Sequence, residues 1–255
     1  MREIHVRSSL DKSEEPSLLY LPNTEHPAPL VVGLHSWSYD RQNQVNGMLP
    51  FAREHGWALL LPEFRGPNMP DNPRAAEACG SRLARQDIVD AVQFVFREYS
   101  AEVDPQSVFL LGGSGGGHMA LLMAAYAPRL WRAVSAWCPI TDLRSWHAAS
   151  SKYAPRIEAC CGGPPENNGG EYCLRSPMAY VDGAAAANLF IHHGKFDTSV
   201  SYEHSLDFYN ALVSQFPDAR VFLDIFDGAH EIRYTEAFAT FAEMLEPKEE
   251  RKLTG

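Results

Sequence analysis

The stretch LLGGSGGGHMALL, residues 110–122, limits what this chain can fold into more than any other. It sets Ser114 among Gly112, Gly113, Gly115, Gly116 and Gly117. Glycine costs about 1 kcal/mol more than alanine inside a helix, so glycines at a helix start need a local reason. Upstream, SVFLL (107–111) is a short apolar run rich in strand formers, and downstream HMALLMAAYA (118–127) reads as a buried helix. The serine therefore sits on a strand-to-helix turn, where the glycines let strand and helix pack closely around a sharply bent backbone. Gly112, Ser114 and Gly116 match the G-x-S-x-G arrangement that exposes a nucleophilic hydroxyl above a sheet. The competing reading is a phosphate loop, but G-x-x-x-x-G-K-[ST] has no match here.

Strand-like and helix-like segments alternate along the rest of the chain. EIHVRSS (3–9) and SLLYLP (17–22) are expected as an opening hairpin. PLVVGLH (29–35), WALLLP (57–62), SVFLLGG (107–113), AVSAWCP (133–139), ANLFIHHG (187–194) and RVFLDIF (220–226) supply six further strands. Helices are expected near 41–55, 81–99, 115–127, 202–216 and 234–246. The pattern predicts an α/β fold: one domain over residues 1–255, with a mostly parallel central sheet flanked by helices on both faces. Two stretches break the rhythm, 62–81 and 144–180, and both read as long loops. Both follow strand ends, where ligands bind in open α/β sheets, so both are expected to wall a pocket.

Composition excludes several function classes. A net charge of −10 without a cluster of Lys and Arg argues against nucleic acid. No apolar run approaches the roughly 20 residues needed to cross a bilayer, so no membrane partner is expected. The start, MREIHVRSSLDKSEEPS, has no signal-peptide core, which points to the cytoplasm, and the mixed-charge tail EPKEERKLTG (246–255) reads as a solvated helix end. Five cysteines, an odd number, favour reduced thiols, although a bridge from Cys160 or Cys161 to Cys79 or Cys173 stays open. With no metal-ligand spacing and no nucleotide fingerprint, no cofactor or metal is expected, and the partner is a small-molecule substrate.

A serine hydroxyl is a weak nucleophile unless a base takes its proton and a third group fixes that base. In the order Ser, acid, His, the acid should lie just beyond a later strand, and NLFIHHGKFDTSV offers Asp197 there. FLDIFDGAHEI then supplies His230, 33 residues on (230 − 197), enough for one helix and one strand. Asp142, just past the strand after the elbow helix, is the reserve acid; Asp224 lies within a strand and Asp227 shapes the DGAH turn. His35, His118, His192 and His193 read as packed or supporting residues. Donors for the oxyanion are expected from the N–H of Gly115 and, on the loop GLHSWSYD, the N–H of Trp37, with the Tyr39 side chain as alternative. Trp37, Phe64, Trp146 and Tyr153, with Tyr39, are the aromatic candidates for lining a substrate pocket.

Together GGSGGGHMAL, HHGKFDTSVSYEHSLDFYNAL and FDGAHEI resemble the catalytic domain of the prolyl oligopeptidase (S9-like) group of the α/β-hydrolase superfamily. FRGPN followed by GSRLARQDIVDAVQFV is similar to that group's Arg-Gly loop and helix before the nucleophile strand, so the likeness covers most of 29–245. It implies Ser114 as nucleophile, Asp197 as acid and His230 as base. The chain departs from the group at Ser201, where proline is usual, and at Ser36, where the oxyanion loop usually has glycine. Only 28 residues precede the first core strand, against a large propeller in the oligopeptidases. The resemblance thereby implies a propeller-free esterase acting on small acyl, acylated-sugar or aromatic esters. The second reading is a small peptidase of the same group, which would need glutamates such as Glu63, Glu158 or Glu171 to hold a substrate amine. The third, a non-catalytic binding protein on this scaffold, conflicts with three intact triad candidates.

Overall fold

The computed structural model describes residues 1–246, so the charged tail lies, apart from Glu246, outside the described residues. Eight strands form one sheet: β1 (Arg2–Arg7), β2 (Glu14–Tyr20), β3 (Ala28–Leu34), β4 (Ala58–Pro62), β5 (Val103–Gly113), β6 (Ala133–Trp137), β7 (Leu189–Gly194) and β8 (Val221–Phe226). Their order is β1-β2-β4-β3-β5-β6-β7-β8, with the first two pairings antiparallel and the other five parallel. The expected strands and the mostly parallel sheet are all present, and the architecture is the α/β-hydrolase fold.

The central strands are apolar on both faces because both faces are covered. In β5, Val108 and Leu110 enter the core on one side while Phe109 and Leu111 enter the core on the other. Helices α2 (Arg82–Glu98), α3 (Gly115–Tyr126) and α8 (Glu203–Gln215) cover the first face; α1 (Val45–His55) and α9 (Tyr234–Leu245) cover the second. α2 starts cleanly because Ser81 Oγ accepts the Ala84 N–H at 3.1 Å, and it turns Ala84, Ile88, Ala91, Val92 and Val95 inward. α3 is buried from Gly115 through Ala124, as expected of a helix with no polar face.

The segment 144–180 corrects the expectation of a long loop. It folds into α4 (Leu143–Ala149), α5 (Ala154–Cys161) and α6 (Pro165–Leu174), followed by a 3₁₀ turn at Pro177–Tyr180 and the single turn α7 (Val181–Ala184). Each helix is short, and the residues that made the sequence look irregular are its punctuation. Asp142 caps α4 through the Ser145 N–H at 2.8 Å, Pro155 and Pro165 stand in first turns, and Gly162 ends α5 in a left-handed conformation. These helices bury a third cluster that includes Leu143, Trp146, Ile157, Cys160, Cys161 and Tyr172. Cys79 joins that cluster, and all five cysteines are free thiols, so the bridge left open by the sequence is not formed. The other irregular stretch, 62–81, is a loop with one 3₁₀ turn at Ala75–Glu77.

β5 lies between β3 and β6, with Leu34 opposite Gly112 and Trp137 opposite Gly113. Because β3 to β8 run parallel, the connections leaving β3, β5, β6, β7 and β8 gather along one edge. Every candidate catalytic residue is on one of them.

Candidate active site

Ser114 bridges β5 and α3 with φ 57° and ψ −119°, a left-handed conformation that a non-glycine residue adopts at a cost of about 1–3 kcal/mol. Its N–H donates to Trp137 C=O at 2.8 Å, and its C=O accepts from His118 N–H at 2.9 Å. The surrounding glycines do not supply the unusual backbone angle, since positive φ falls on Ser114 itself and on none of its five glycine neighbours. They supply space. A Cβ on Gly112 would stand 2.2 Å from Gly116 O, and one on Gly115 would stand 2.4 Å from Trp37 N. So much glycine therefore has a steric reason: backbone passes against backbone on both sides of the serine.

Asp197 follows β7 and is fixed by three hydrogen bonds and a close contact with His193. Its Oδ1 accepts the N–H groups of Ser199 at 2.8 Å and Val200 at 3.0 Å. Its Oδ2 lies 2.6 Å from His230 Nδ1 and 3.2 Å from His193 Nε2. Burial of this side chain would raise its pKa, but the bonds from His193, His230 and the Val200 N–H outweigh that and hold the carboxyl well below the usual carboxylate range. An ionised Asp197 sets His230 with Nδ1 protonated, leaving Nε2 as the lone-pair nitrogen.

His230 and Ser114 line the same cleft, about 240 Å³ in volume. Ser114 makes no side-chain hydrogen bond among the described residues, and hydrogen bonds of a nucleophile to its base often form only when substrate arrives. Ser36, Tyr39, Asn43 and Gln44 form one wall, and Glu231, Ile232 and Tyr234 form the other, pinned by a 2.7 Å bond from Tyr234 Oη to Gln44 Oε1. Cys138, which leaves β6 with φ 45°, is the sulfur on the floor. Burial, with the charge of Asp197 behind it, pushes its thiol up to about 12.

The two expected oxyanion donors are neighbours. Gly115 opens α3, where first-turn N–H groups lack intrahelical acceptors, and the Trp37 N–H donates no hydrogen bond among the described residues. The Trp37 carbonyl accepts from Asn68 N–H at 2.8 Å, so the loop 62–81 holds this peptide from behind. Tyr39 is 58% exposed at the cleft mouth. Phe64 does not line the cleft; it is buried and stacked on His35 at 3.8 Å, next to the loop that carries Trp37. Trp146 is also buried, edge-on to Trp37 at 4.7 Å and stacked on Tyr153 at 4.4 Å. Its indole N–H donates to Ser199 C=O at 3.0 Å, and it borders a different cavity of about 380 Å³ with Asp142, His204 and Asp207. That cavity is larger than the cleft but contains neither Ser114 nor His230.

The other candidates are engaged elsewhere. Asp142 caps α4, Asp224 lies 3.7 Å from His192, and the Asp227 carbonyl takes a bond from Arg233. His118 is buried and bonded to Arg175 C=O at 2.6 Å, and burial lowers its pKa to about 4. His192 is stacked on Trp137. His193 does more than pack: beyond Asp197 it meets Ser205 Oγ at 2.7 Å and Val200 O at 2.9 Å, tying the acid loop to α8. Its position, the last side chain of β7 and four residues before Asp197, was the available signal. Asn43, Gln44, Cys138 and Tyr234 gave none.

Residues 81–243 match the prolyl oligopeptidase family. Inactive dipeptidyl peptidase 10 of Mus musculus is 24% identical over 129 residues, which are 50% of this chain and 15% of that protein. The acylaminoacyl peptidase of Pyrococcus horikoshii superposes with a TM-score of 0.77 at 19% identity, over 98% of this chain and 42% of its own. FphF, a fluorophosphonate-binding serine hydrolase of Staphylococcus aureus, superposes with a TM-score of 0.72 at 16% identity, over 96% of this chain and 98% of its own. This chain thus spans less than half of the first two proteins and nearly all of the third. Among its described residues no helix is long and apolar enough to cross a membrane.

Proposed function

The chain belongs to the prolyl oligopeptidase family of serine hydrolases, and from that premise we propose that it cleaves carboxylic esters carrying small acyl groups through Ser114, His230 and Asp197. The observation that carries the reading is the ionised Asp197 on His230 Nδ1, with His230 and Ser114 facing one cleft. A family relative is named inactive, so the reading is supported by the side-chain geometry rather than by membership alone.

In the reaction, His230 Nε2 takes the proton of Ser114 Oγ as that oxygen attacks the ester carbonyl. The Gly115 and Trp37 N–H groups receive the developing oxyanion, a contribution of roughly 10²–10³ in rate per donor. The imidazolium then protonates the leaving alkoxide, and a water activated by the same imidazole releases the acid from the acyl-enzyme.

Ester rather than amide substrates are favoured by where the carboxylates are. Holding a peptide's free amine needs unpaired carboxylates at the cleft. Glu63 is paired with Arg41 at 2.8 Å, Glu158 with His147 at 2.8 Å and Glu171 with Arg175 at 2.9 Å, and none of the three lines the cleft. Glu231 lines it but is held by Arg233 at 3.1 Å.

The test is turnover of p-nitrophenyl esters from acetyl to dodecanoyl against alanyl and prolyl nitroanilides, with Ser114→Ala as control. Short-ester turnover that vanishes in the variant supports the reading. Nitroanilide turnover in its place overturns the substrate class, and a Ser114→Ala variant as active as the parent overturns the nucleophile.

A further inference from the structure

The mechanism uses Asp197 and His230, and two further side chains that could ligate a metal, Cys138 and His193, lie beside them. Cys138, His193 and Asp197 each offer one ligand atom, and these atoms all lie within 4.8 Å of one another. We infer that these three side chains form a binding site for a thiophilic divalent cation, zinc being the natural probe, whose occupation switches the catalytic acid off.

The geometry is close to that of a three-donor metal site. A tetrahedral zinc with bonds of about 2.0–2.3 Å spaces its ligand atoms by roughly 3.5 Å. His193 Nε2 and Asp197 Oδ2 are already 3.2 Å apart, so only the sulfur has to close in. Cys138 is the residue of the three that lines the cleft, which gives the ion its way in and a water or His230 as fourth ligand. A second shell is in place. Ser205 Oγ lies 2.7 Å from His193 Nδ1, and a hydroxyl serves that nitrogen as donor or acceptor, so the ring can change tautomer and keep this bond while Nε2 exchanges its 2.9 Å contact with Val200 C=O for the cation. The balance is one proton: the Cys138 S–H bond breaks, the thiolate binds the cation, and the proton leaves to water, while His193 stays neutral.

The cost falls on catalysis. Asp197 Oδ2 is the oxygen nearest His193 Nε2, at 3.2 Å, and it is also the one that holds His230 Nδ1, at 2.6 Å, so His230 and the cation compete for it. With the cation bound, the base loses the carboxylate that orients it.

The experiment titrates zinc chloride against the rate of fluorophosphonate labelling at Ser114, each protein being referred to its own metal-free rate. The expected result is a tenfold or greater slowing, reversed by EDTA, in the parent and in Cys173→Ser, which removes an exposed thiol. Cys138→Ser and Cys138→Ala should both need at least ten times more zinc. Equal inhibition of parent and Cys138 variants overturns the site. A second arm needs no catalysis: cobalt(II) should give a thiolate-to-metal charge-transfer band in the parent that is missing from both Cys138 variants. A band that persists in them overturns the site, and cobalt binding in a protein that labels with no fluorophosphonate leaves the site standing while removing the proposed function.

Discussion

Two charged clusters in this molecule have opposite designs. Arg65, fully buried on the loop 62–81, has donors turned to Asp11 at 2.6 Å, Glu77 at 2.8 Å, Ser8 at 3.2 Å and both oxygens of Asp87. The Arg65 guanidinium holds the Asp11 carboxyl well below the usual carboxylate range. Arg74 adds a 2.6 Å bond to Glu15, and the whole knot ties the β1–β2 hairpin to α2. Its five N–H donors point at acceptors, and nothing is left over for a ligand. The Asp197 cluster is equally buried at the carboxylate, yet its chain of bonds ends on His230, whose side chain is 30% exposed with Nε2 unbonded toward the cleft. A closed network stabilises; a network with one free end reacts. Charge and burial alone do not tell the two apart.

Four outcomes would sharpen or break this contrast. Asp197→Asn should lower kcat by about 10⁴-fold through the wrong His230 tautomer, with little change in the melting temperature; a matching loss of stability would make the cluster structural. Arg65→Met should do the reverse. Leaving Asp11 and Asp87 without their cationic partner should cost about 3–5 kcal/mol in urea unfolding while kcat of the folded protein changes by less than tenfold. Gly115→Ala comes next: its Cβ would collide with the Trp37 amide, so kcat should fall by about 10²–10³-fold with KM moving much less. A variant with unchanged kcat would remove Trp37 from the oxyanion site.

The smallest effect is on acid stability. Burial lowers both His118 and His204 to about 4, whereas the unfolded chain binds those protons near 6.5. Between these values the unfolded state holds more protons, so stability is full above about 6.5 and falls as pH drops toward 4. Each histidine contributes a slope of at most about 1.4 kcal/mol per pH unit. Melting temperatures from pH 7 to pH 4 in the parent and in His118→Asn should show a shallower decline in the variant, and parallel curves would refute the assignment.

The central strands were legible because they are short apolar runs with turn residues between them, and burial on both faces leaves no polar alternation to confuse the reading. The order Ser114, Asp197, His230 was legible because successive strand ends of a parallel sheet come together whatever the helices between them do. The helices α4, α5 and α6 were not, since seven to ten residues bounded by Pro155, Pro165 and Gly162 have the composition of a loop. Phe64 was misplaced as a pocket residue because an aromatic ring on a loop is as well used propping a strand end, and only the fold shows which way it turns. Cys138 was passed over because no spacing in one dimension brings it to His193 and Asp197.

The three-helix insertion has its own small core, apart from the two that sandwich the sheet. That core reaches the rest of the molecule through Trp37, Ala75, Cys79, Ile140 and Val200, of which Trp37 lies on the loop after β3 and Val200 donates to Asp197. A lineage can thus redraw the insertion, lengthening or exchanging its helices, without repacking a strand. Such changes would bear first on the placement of Trp37 and of the Asp197 loop, which share this core, and only later on the packing of the sheet.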